Sequence, residues 1–329
     1  MYHPAVATPP ESGYVRALHF DGSKAQLKDL PTPEPGVDCA LIRVTCAGIC
    51  DTDRQLLNGY MGFTGVLGHE FVGTVAEGLP DQRGQRVVGE INFACGSCPV
   101  CAEGLERHCP SRQVMGILEA DGAFAEYVSV PVSNLHSVPD DMPDEVAVFA
   151  EPLAAAFEIL EQVHVAPGQD CLVLGDGKLG LLVAQVLQQA GARVIAVGKH
   201  PEKLAILAAR GIETSVLADW SADPMPLVVE ATGSAEGFSA AVAATRPRGT
   251  LVLKSTIAET SQIDLTPVVV DEIRVVGSRC GPFPPALRAL ETGSIDARSL
   301  ISDRVSLENA LEGIERAARP GALKVLIEP

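Results

Sequence analysis

Residues 173–180 read Val173-Leu174-Gly175-Asp176-Gly177-Lys178-Leu179-Gly180. They contain the pattern G-x-G-x-x-G, at the end of one apolar run and the beginning of another. In this pattern the first glycine makes a tight turn, the second lets the backbone approach a pyrophosphate, and the third lets helix and strand pack closely. The phosphates then lie at the positive end of the helix. A glycine-rich turn without a ligand is the alternative. The strand–turn–helix context favours a dinucleotide site formed by Gly175, Gly177, Lys178, Leu179 and Gly180.

Strands and helices alternate on both sides of this turn. The pattern predicts helices at Leu153–Gln162, Leu179–Ala190, Glu202–Ala209 and Ala235–Ala244, and strands at Cys171–Gly175, Arg193–Val197, Leu227–Glu230, Thr250–Lys254 and Ile273–Val276. Such alternation is typical of βαβ units in a parallel sheet. We therefore predict an α/β protein in which residues 153–282 form a doubly wound parallel-sheet domain of the Rossmann type.

Residues 1–152 are predicted to form a separate, β-rich domain. Its short apolar or alternating runs are Tyr14–Phe20, Leu41–Cys46, Phe71–Ala76, Arg86–Ile91 and Glu126–Val130. Near the C-terminus, two helical stretches and a strand break the alternation; they are Ala286–Glu291, Leu307–Ala318 and Leu323–Ile327. We expect residues 283–329 to return to the first domain.

The 329-residue chain is acidic, with a formal net charge of −17 and a sequence pI near 4.8. Such a chain repels nucleic-acid phosphates and anionic lipid, and no basic run offsets this charge. No segment reaches the ~20 apolar residues of a membrane span. The N-terminus lacks the basic and apolar regions of a secretory signal. We therefore expect a cytoplasmic protein that binds neither nucleic acid nor membrane.

Four of the nine cysteines lie within fifteen residues, namely Cys95, Cys98, Cys101 and Cys109. Two-residue gaps let neighbouring thiolates bind one centre, and the longer gap lets the fourth complete a tetrahedron. Four soft ligands with no open position are typical of a structural Zn²⁺. We predict a structural zinc lobe at residues 92–112, and metal-bound thiolates fit a reducing compartment.

The end of the second strand of the α/β domain bears on the choice of cofactor. An Asp or Glu there would accept hydrogen bonds from the ribose hydroxyls of NAD. The sequence Ala196-Val197-Gly198-Lys199-His200 has no carboxylate, and Gly198 leaves room for a 2′-phosphate that Lys199 and His200 would attract. These residues favour NADP over NAD. The alternative is that Lys199 and His200 only begin a solvated helix.

A second metal site is suggested by Cys50-Asp51-Thr52-Asp53 and Gly68-His69-Glu70 in the β-rich half. A lone cysteine is more often a buried apolar residue, and a lone histidine is more often structural. Beside a nucleotide motif and a four-cysteine lobe, the pair favours a catalytic zinc, which takes three protein ligands and keeps one position open. Glu70 and Glu151 are the candidates for the third ligand.

These motifs resemble those of the zinc-dependent alcohol dehydrogenases of the medium-chain dehydrogenase/reductase family. The similarity runs from about Tyr14 to Pro329 in the family's order and approximate spacing. It rests on Cys50-Asp51-Thr52-Asp53, Gly68-His69-Glu70, the four-cysteine lobe, Asp121-Gly122-Ala123-Phe124-Ala125-Glu126-Tyr127, Glu151-Pro152, the Gly175 turn and Glu230-Ala231-Thr232-Gly233. The resemblance implies that the first domain is a GroES-like catalytic domain and that the chain forms a homodimer or a homotetramer.

The resemblance also implies a set of metal ligands. Cys50 and His69 would bind the catalytic zinc, and a glutamate at the position of Glu70 or Glu151 would complete the site, as in the polyol and threonine dehydrogenase branches. Liver-type enzymes have a cysteine where Glu151 stands. With the four-cysteine lobe, this gives two zinc ions per subunit.

Further implied roles concern the proton and the cofactor. Thr52 would receive the substrate proton, and Asp53 would orient the histidine ligand. Backbone near Thr232 and Leu253 would fix the nicotinamide. Liver-type enzymes pass the proton to a histidine three residues after the Thr52 position, where this chain has Gln55, which cannot act as a base.

The implied activity is the reversible oxidation of an alcohol to a carbonyl by hydride transfer to NAD(P). The third-ligand glutamate favours secondary alcohols, polyols or sugar-like substrates over short aliphatic alcohols. A different class of function, a non-catalytic redox sensor that binds zinc and a nucleotide, is the alternative.

Overall fold

The computed structural model describes Thr8, Pro10 and residues 12–78, 80–221, 223–255 and 263–329. Its strands are β1 (Tyr14–Phe20), β2 (Ala25–Pro31), β3 (Cys39–Gly48), β4 (Gly65–Val66), β5 (Glu70–Glu77), β6 (Arg86–Gly89), β7 (Asn92–Phe93), β8 (Gln113–Met115), β9 (Glu119–Ala120), β10 (Tyr127–Pro131), β11 (Leu135–Ser137), β12 (Asp170–Leu174), β13 (Arg193–Gly198), β14 (Glu213–Val216), β15 (Met225–Glu230), β16 (Thr245–Leu253), β17 (Arg274–Gly277), β18 (Ile301–Ser306) and β19 (Lys324–Glu328).

The helices alternate with the strands in the second half of the chain and are short in the first half. They are α1 (Asp51–Leu57), α2 (Pro99–Ala102), α3 (Asp144–Ala147), α4 (Ala150–Gln162), α5 (Lys178–Gln189), α6 (Pro201–Ala208), α7 (Ala235–Ala243), α8 (Thr266–Val270), α9 (Phe283–Glu291) and α10 (Ala310–Ala317). In the described part of the chain, no helix combines the length and apolar composition that crossing a bilayer requires.

The second unit, Pro152–Ser299, is built on a six-stranded parallel sheet. Its strand order is β14-β13-β12-β15-β16-β17, so the order reverses between β12 and β15. Cys171–Leu174 of the central strand β12 are all buried, as expected for a parallel strand covered on both faces. This is the doubly wound topology that the alternating pattern predicts. Such a topology binds its ligand where the strand order reverses, which here would be at the carboxyl ends of β12 and β15.

Close backbone packing shapes the turn between β12 and α5. Gly175 has φ +119°, and a Cβ there would lie 2.4 Å from the carbonyl oxygen of Ala231. A Cβ on Gly180, in the first turn of α5, would lie 2.0 Å from the carbonyl oxygen of Gly175. A Cβ on Gly177 would meet no atom within 4 Å. Two glycines of the motif are therefore needed for packing, and Gly177 is not.

The first unit contains Met1–Glu151 and Leu300–Pro329. Its largest sheet has the order β11-β6-β5-β3-β19-β18, with β10 also paired to β3. Smaller sheets have the orders β2-β1-β4 and β7-β8-β9. The C-terminal strand β19 pairs antiparallel with β3 and parallel with β18, so the end of the chain is built into the sheet that carries β5.

The boundary of the second unit differs from the sequence prediction. The unit extends to Ser299, whereas the return to the first domain was expected from residue 283. The segment after α9 is held by side chains of the second unit, because Gln185 hydrogen-bonds both the N–H and the C=O of Asp296, and Arg210 donates to the C=O of Ser294. Helix α9 thus belongs with the parallel-sheet unit.

Replacing Gly180 with Ala tests the close packing of the turn. We expect Gly180→Ala to lower the free energy of unfolding by about 1–3 kcal/mol, because the new methyl must displace α5 from β12. Urea denaturation followed by circular dichroism measures the change. The matched control, Gly177→Ala, should cost less than about 1 kcal/mol. Equal losses in the two variants would contradict this description of the turn.

Candidate metal and dinucleotide sites

The four lobe cysteines converge on one point in the first unit. The Sγ of Cys98 lies 3.5 Å from that of Cys101 and 3.9 Å from that of Cys109. The Sγ atoms of Cys109 and Cys95 are 3.6 Å apart. Four zinc–sulfur bonds of about 2.3 Å in a tetrahedron would separate the sulfurs by about 3.8 Å. The spacing of the thiols therefore fits a tetrahedral zinc ion.

The lobe also stabilises a thiolate at one of its cysteines. Backbone N–H groups of Ser97 and Cys98 donate to Cys95 and lower its pKa to about 6. Burial and the neighbouring thiols raise the pKa of Cys101 to about 12. All nine cysteines are free thiols. A metal ion, which requires deprotonated thiols, would crosslink the four cysteines of the lobe.

A second group of ligand atoms lies at the beginning of α1 and of β5, also in the first unit. Cys50, His69 and Glu70 each offer one ligand atom, and these three atoms lie within 4.8 Å of one another. His69 and Glu70 are buried. Oε1 of Glu70 has no hydrogen-bond partner among the described residues, and such a buried carboxylate oxygen is suited to a cation. A thiolate, an imidazole and a carboxylate form a three-ligand set that fits zinc with a fourth position open.

Asp53 orients this group through two contacts. Cys50 is the N-cap residue of α1, and its backbone N–H donates to Oδ2 of Asp53 at 2.8 Å. Oδ1 of the same carboxylate lies 3.2 Å from Nδ1 of His69, and both side chains are buried. Because Nδ1 faces a carboxylate, Nε2 is the ring nitrogen available to a metal.

The charges around His69 favour the protonated form of its imidazole. Burial acts to lower the pKa of His69, but the Asp53 carboxylate and the Cys50 thiol outweigh it, so this pKa is raised well above its usual value. The same negative groups favour a divalent cation, whose binding would require the neutral imidazole and so would release a proton.

Lys324 is a residue of this group's surroundings that sequence reasoning missed. Its side chain on β19 is fully buried, contacts Oε2 of Glu70 and lies 3.4 Å from the carbonyl oxygen of Ile49. Its ammonium also stands 5.7 Å from the centre of the Phe149 ring, within cation–π range. The signal available in the sequence was a lone lysine within the apolar run that ends the chain.

The other predicted residues of this site differ in whether they contact the three ligand residues. The group of ligand atoms includes Glu70 but not Glu151, which stands in the first turn of α4. Oγ1 of Thr52 lies 3.8 Å from Sγ of Cys50. The amide of Gln55 donates to Asp51 on the exposed side of α1. The geometry therefore brings Thr52 beside the metal ligands and leaves Gln55 bound to a neighbouring carboxylate.

The glycine turn of the second unit presents open backbone at the beginning of α5. Gly177 is its N-cap residue, with space where a Cβ would be. At the end of β15, Oε1 of Glu230 accepts hydrogen bonds from both the N–H and the hydroxyl of Thr232, each at 2.6 Å. Leu253 ends β16, and its carbonyl accepts a hydrogen bond from the N–H of Ser278 at 3.0 Å. These predicted cofactor residues therefore lie at the carboxyl ends of strands of the parallel sheet, where a doubly wound fold binds its ligand.

The end of β13 is occupied by a side chain that the sequence analysis did not assign. Gly198 is buried, and a Cβ there would lie 2.4–2.5 Å from Cβ, Cγ and Oδ2 of Asp176. Oδ2 of Asp176 accepts hydrogen bonds from the backbone N–H groups of Lys199 and His200, each at 2.6 Å, and lies 3.0 Å from Nδ1 of His200. Asp176 was visible as the second residue of the glycine motif, but only the fold shows where its side chain lies.

Replacing Lys324 tests the buried ion pair. We expect Lys324→Met to lower the free energy of unfolding by about 3–5 kcal/mol, because it leaves the buried Glu70 without its ammonium partner. Urea denaturation at neutral pH measures the loss. The matched double variant Lys324→Met/Glu70→Gln should recover part of it, and a double variant that is no more stable than Lys324→Met would contradict the pairing.

Comparisons with known proteins agree with this architecture. The sequence profile of the alcohol dehydrogenase GroES-like domain matches residues 36–140, and that of the zinc-binding dehydrogenase family matches residues 179–292. Together the two profiles cover well over half of the chain. The predicted fold class, a GroES-like domain with a Rossmann-type parallel-sheet domain, is confirmed.

Individual relatives are similar over nearly their whole length. The L-threonine 3-dehydrogenase of Chelativorans sp. (strain BNC1) is 30% identical over 92% of this chain and 94% of its own. The D-altritol 5-dehydrogenase of Agrobacterium fabrum is 30% identical over 94% and 98%, respectively. A zinc-binding dehydrogenase from Sinorhizobium meliloti 1021 bound to NADP is 30% identical, with a TM-score of 0.88 and coverage of 96% and 99%. The chain belongs to the zinc-dependent alcohol dehydrogenases of the medium-chain dehydrogenase/reductase family.

Proposed function

We propose that this chain is a zinc-dependent, NAD(P)-dependent dehydrogenase that reversibly oxidises a secondary alcohol, polyol or sugar-like substrate to a carbonyl. The observation that carries the proposal is the group of Cys50, His69 and Glu70, whose ligand atoms lie within 4.8 Å of one another. A closed structural site needs four protein ligands, whereas three leave a position for substrate.

Cys50, His69 and Glu70 are the residues that would hold the catalytic zinc. When bound there, zinc supplies Lewis-acid polarisation of the substrate oxygen and lowers the pKa of the alcohol. Glu70 is favoured over Glu151 as the third ligand, because its Oε1 is buried without a hydrogen-bond partner in the described chain. The orientation of His69 by Asp53 supports binding through Nε2.

The chain's own hydroxyl near this site is that of Thr52. Its Oγ1 lies 3.8 Å from Sγ of Cys50, which suits it to accept the hydrogen bond of a substrate hydroxyl beside the metal. Gln55 is bound to Asp51 and has no basic group, so the proton would pass from Thr52 to solvent. Asp53 takes no proton in this scheme and acts by fixing the orientation of His69.

The four lobe cysteines would hold a second, structural zinc. The distances of 3.5, 3.9 and 3.6 Å between their sulfurs support this assignment. Since the four thiolates fill a tetrahedral ion, this centre has no position for substrate. Its role would be to stabilise the lobe.

The second unit would bind the nicotinamide dinucleotide. The open backbone at Gly177 and the beginning of α5 suit a pyrophosphate, and the cofactor supplies the hydride acceptor. For the choice between NAD and NADP, Lys199 favours a 2′-phosphate by its charge, whereas the carboxylate of Asp176 opposes it. The relative bound to NADP shows that a dehydrogenase 30% identical to this chain binds that form.

The substrate class rests on the relatives as well as on the third ligand. Their names specify L-threonine, D-altritol, D-arabitol phosphate and sorbitol as substrates. All four carry a secondary alcohol with a polar neighbouring group. We expect a substrate of this kind, and a cytoplasmic homodimer or homotetramer.

The test is a substrate panel assayed with the zinc-loaded enzyme and both cofactors. The panel contains threonine, sugar alcohols, sugar-alcohol phosphates and 2,3-butanediol, and absorbance at 340 nm reports reduction of the cofactor. Turnover of at least one member supports the proposal. Tight binding of zinc and dinucleotide without turnover of any member would instead favour the non-catalytic redox sensor.

Replacing a ligand of the proposed catalytic zinc should separate catalysis from cofactor binding. We expect Cys50→Ser and His69→Ala to lower turnover by at least about a thousandfold, because polarisation by the metal supplies several kcal/mol. Zinc content should fall by one ion per chain, with the Kd for dinucleotide unchanged within about threefold. Near-normal turnover in either variant would refute the ligand assignment.

Replacing a lobe cysteine should impair folding first and reduce turnover only as a consequence. We expect Cys95→Ala to lower the midpoint of thermal unfolding by several degrees and to lose the other zinc ion, because a structural zinc contributes directly to folding. Cys46→Ala, which lies outside both groups, is the matched control for loss of a thiol. A Cys95→Ala variant that folds normally but fails only in hydride transfer would reverse the two assignments.

A further inference from the structure

We propose that Asp176 selects NAD(H) over NADP(H), by holding its carboxylate at the position where a 2′-phosphate would have to bind. This inference deepens the proposed function, on whose dinucleotide site it rests. It reverses the preference that Gly198, Lys199 and His200 predict when they are considered without the fold.

The position of the carboxylate follows from the contact between Asp176 and Gly198. In dinucleotide-binding folds, the acid that recognises the ribose hydroxyls of NAD stands at the end of the second strand. Here that position is Gly198 at the end of β13. The first atom of any side chain at position 198 would fall 2.4–2.5 Å from Cβ, Cγ and Oδ2 of Asp176. The Asp176 carboxylate therefore occupies the space of the missing side chain.

The backbone donors at the end of β13 are already bound to Asp176. The backbone N–H groups of Lys199 and His200 both donate to Oδ2 of Asp176, and Nδ1 of His200 lies 3.0 Å from the same oxygen. A phosphate at this position would have to displace a carboxylate from two short backbone hydrogen bonds. Asp176 thus acts as an internal anion in the place that an external anion would need.

The second oxygen of Asp176 remains for the cofactor. The three contacts above all involve Oδ2, so within the described part of the chain they leave Oδ1 to a ligand. An ionised carboxylate accepts hydrogen bonds from ribose hydroxyls, whereas it repels a phosphate that carries about −1.5 to −2 charges at neutral pH. This oxygen thus suits the 2′-hydroxyl of NAD and disfavours the 2′-phosphate of NADP.

Lys199 does not cancel this effect. Its side chain is exposed, whereas Asp176 is 8% exposed. An exposed ammonium is screened by water and salt, and a buried charge at close range is screened much less. The nearer and more buried charge, that of Asp176, therefore decides that NAD binds more tightly than NADP.

The test measures binding rather than turnover. The zinc-loaded enzyme is titrated with NADH and with NADPH, and fluorescence of the reduced nicotinamide gives each Kd. We expect the wild type to bind NADH at least about tenfold more tightly than NADPH. Asp176→Asn keeps an acceptor for the two backbone N–H groups and removes the charge, so it should shift the ratio of the two Kd values toward NADPH by about tenfold or more.

A swap of the carboxylate between the two positions separates charge from folding. Gly198→Asp alone should impair dinucleotide binding, because its Cβ would overlap Asp176. Asp176→Gly/Gly198→Asp removes that overlap and returns the acid to the end of β13, so it should restore the preference for NADH that Asp176→Gly alone loses. Lys199→Gln is the control for the exposed cation and should weaken NADPH binding by less than about threefold.

The outcomes distinguish this inference from the proposed function. A wild type that binds NADPH more tightly than NADH, or an Asp176→Asn variant with an unchanged ratio, would overturn the role of Asp176 while leaving the dehydrogenase intact. Failure of the wild type to bind either reduced dinucleotide would instead contradict the proposed cofactor site itself.

Discussion

The buried charges of the first unit are the constraint on which the rest of the site depends. Asp53 and Glu70 are fully buried carboxylates beside the Cys50 thiol. Asp53 faces the imidazole of His69, and Glu70 faces the ammonium of Lys324. Isolated buried charges are costly, so each carboxylate needs a partner. Lys324 pairs with Oε2 of Glu70 and Asp53 with His69, which leaves Oε1 of Glu70 and the Cys50 thiol as ligands for a divalent cation.

Three segments that are far apart in sequence build this arrangement. Helix α1 begins at Asp51, directly after Cys50, and Asp53 accepts the Cys50 N–H to fix that beginning. Strand β5 begins at Glu70, and β19 places Lys324 against it, since both strands pair with β3. Close approach also requires Gly48 on β3, where a Cβ would lie 2.4 Å from Oε2 of Glu70. The C-terminal strand is therefore part of the proposed metal site as well as of the sheet.

Sequence reasoning succeeded where the determinants are local and failed where they are brought together by folding. The alternation after residue 152 predicted the parallel sheet, and the motifs predicted the family. Lys324 was missed because a lysine in an apolar strand has no local partner. Asp176 was missed because its partner Lys199 lies 23 residues away and becomes a neighbour only in the sheet. The boundary at Ser299 depends on the bonds of Gln185 and Arg210, which the sequence pattern does not reveal.

The central claim is that the chain binds one catalytic zinc through mixed ligands and one structural zinc through four thiolates. Its most direct test is X-ray absorption at the zinc K-edge on the purified protein. Elemental analysis of the same sample gives the number of ions per chain. With four thiolates at one centre and one at the other, the account predicts two zinc ions per chain and a mean of about 2.5 sulfur ligands per zinc, with nitrogen or oxygen completing the shell. One zinc per chain with four sulfur ligands would contradict it.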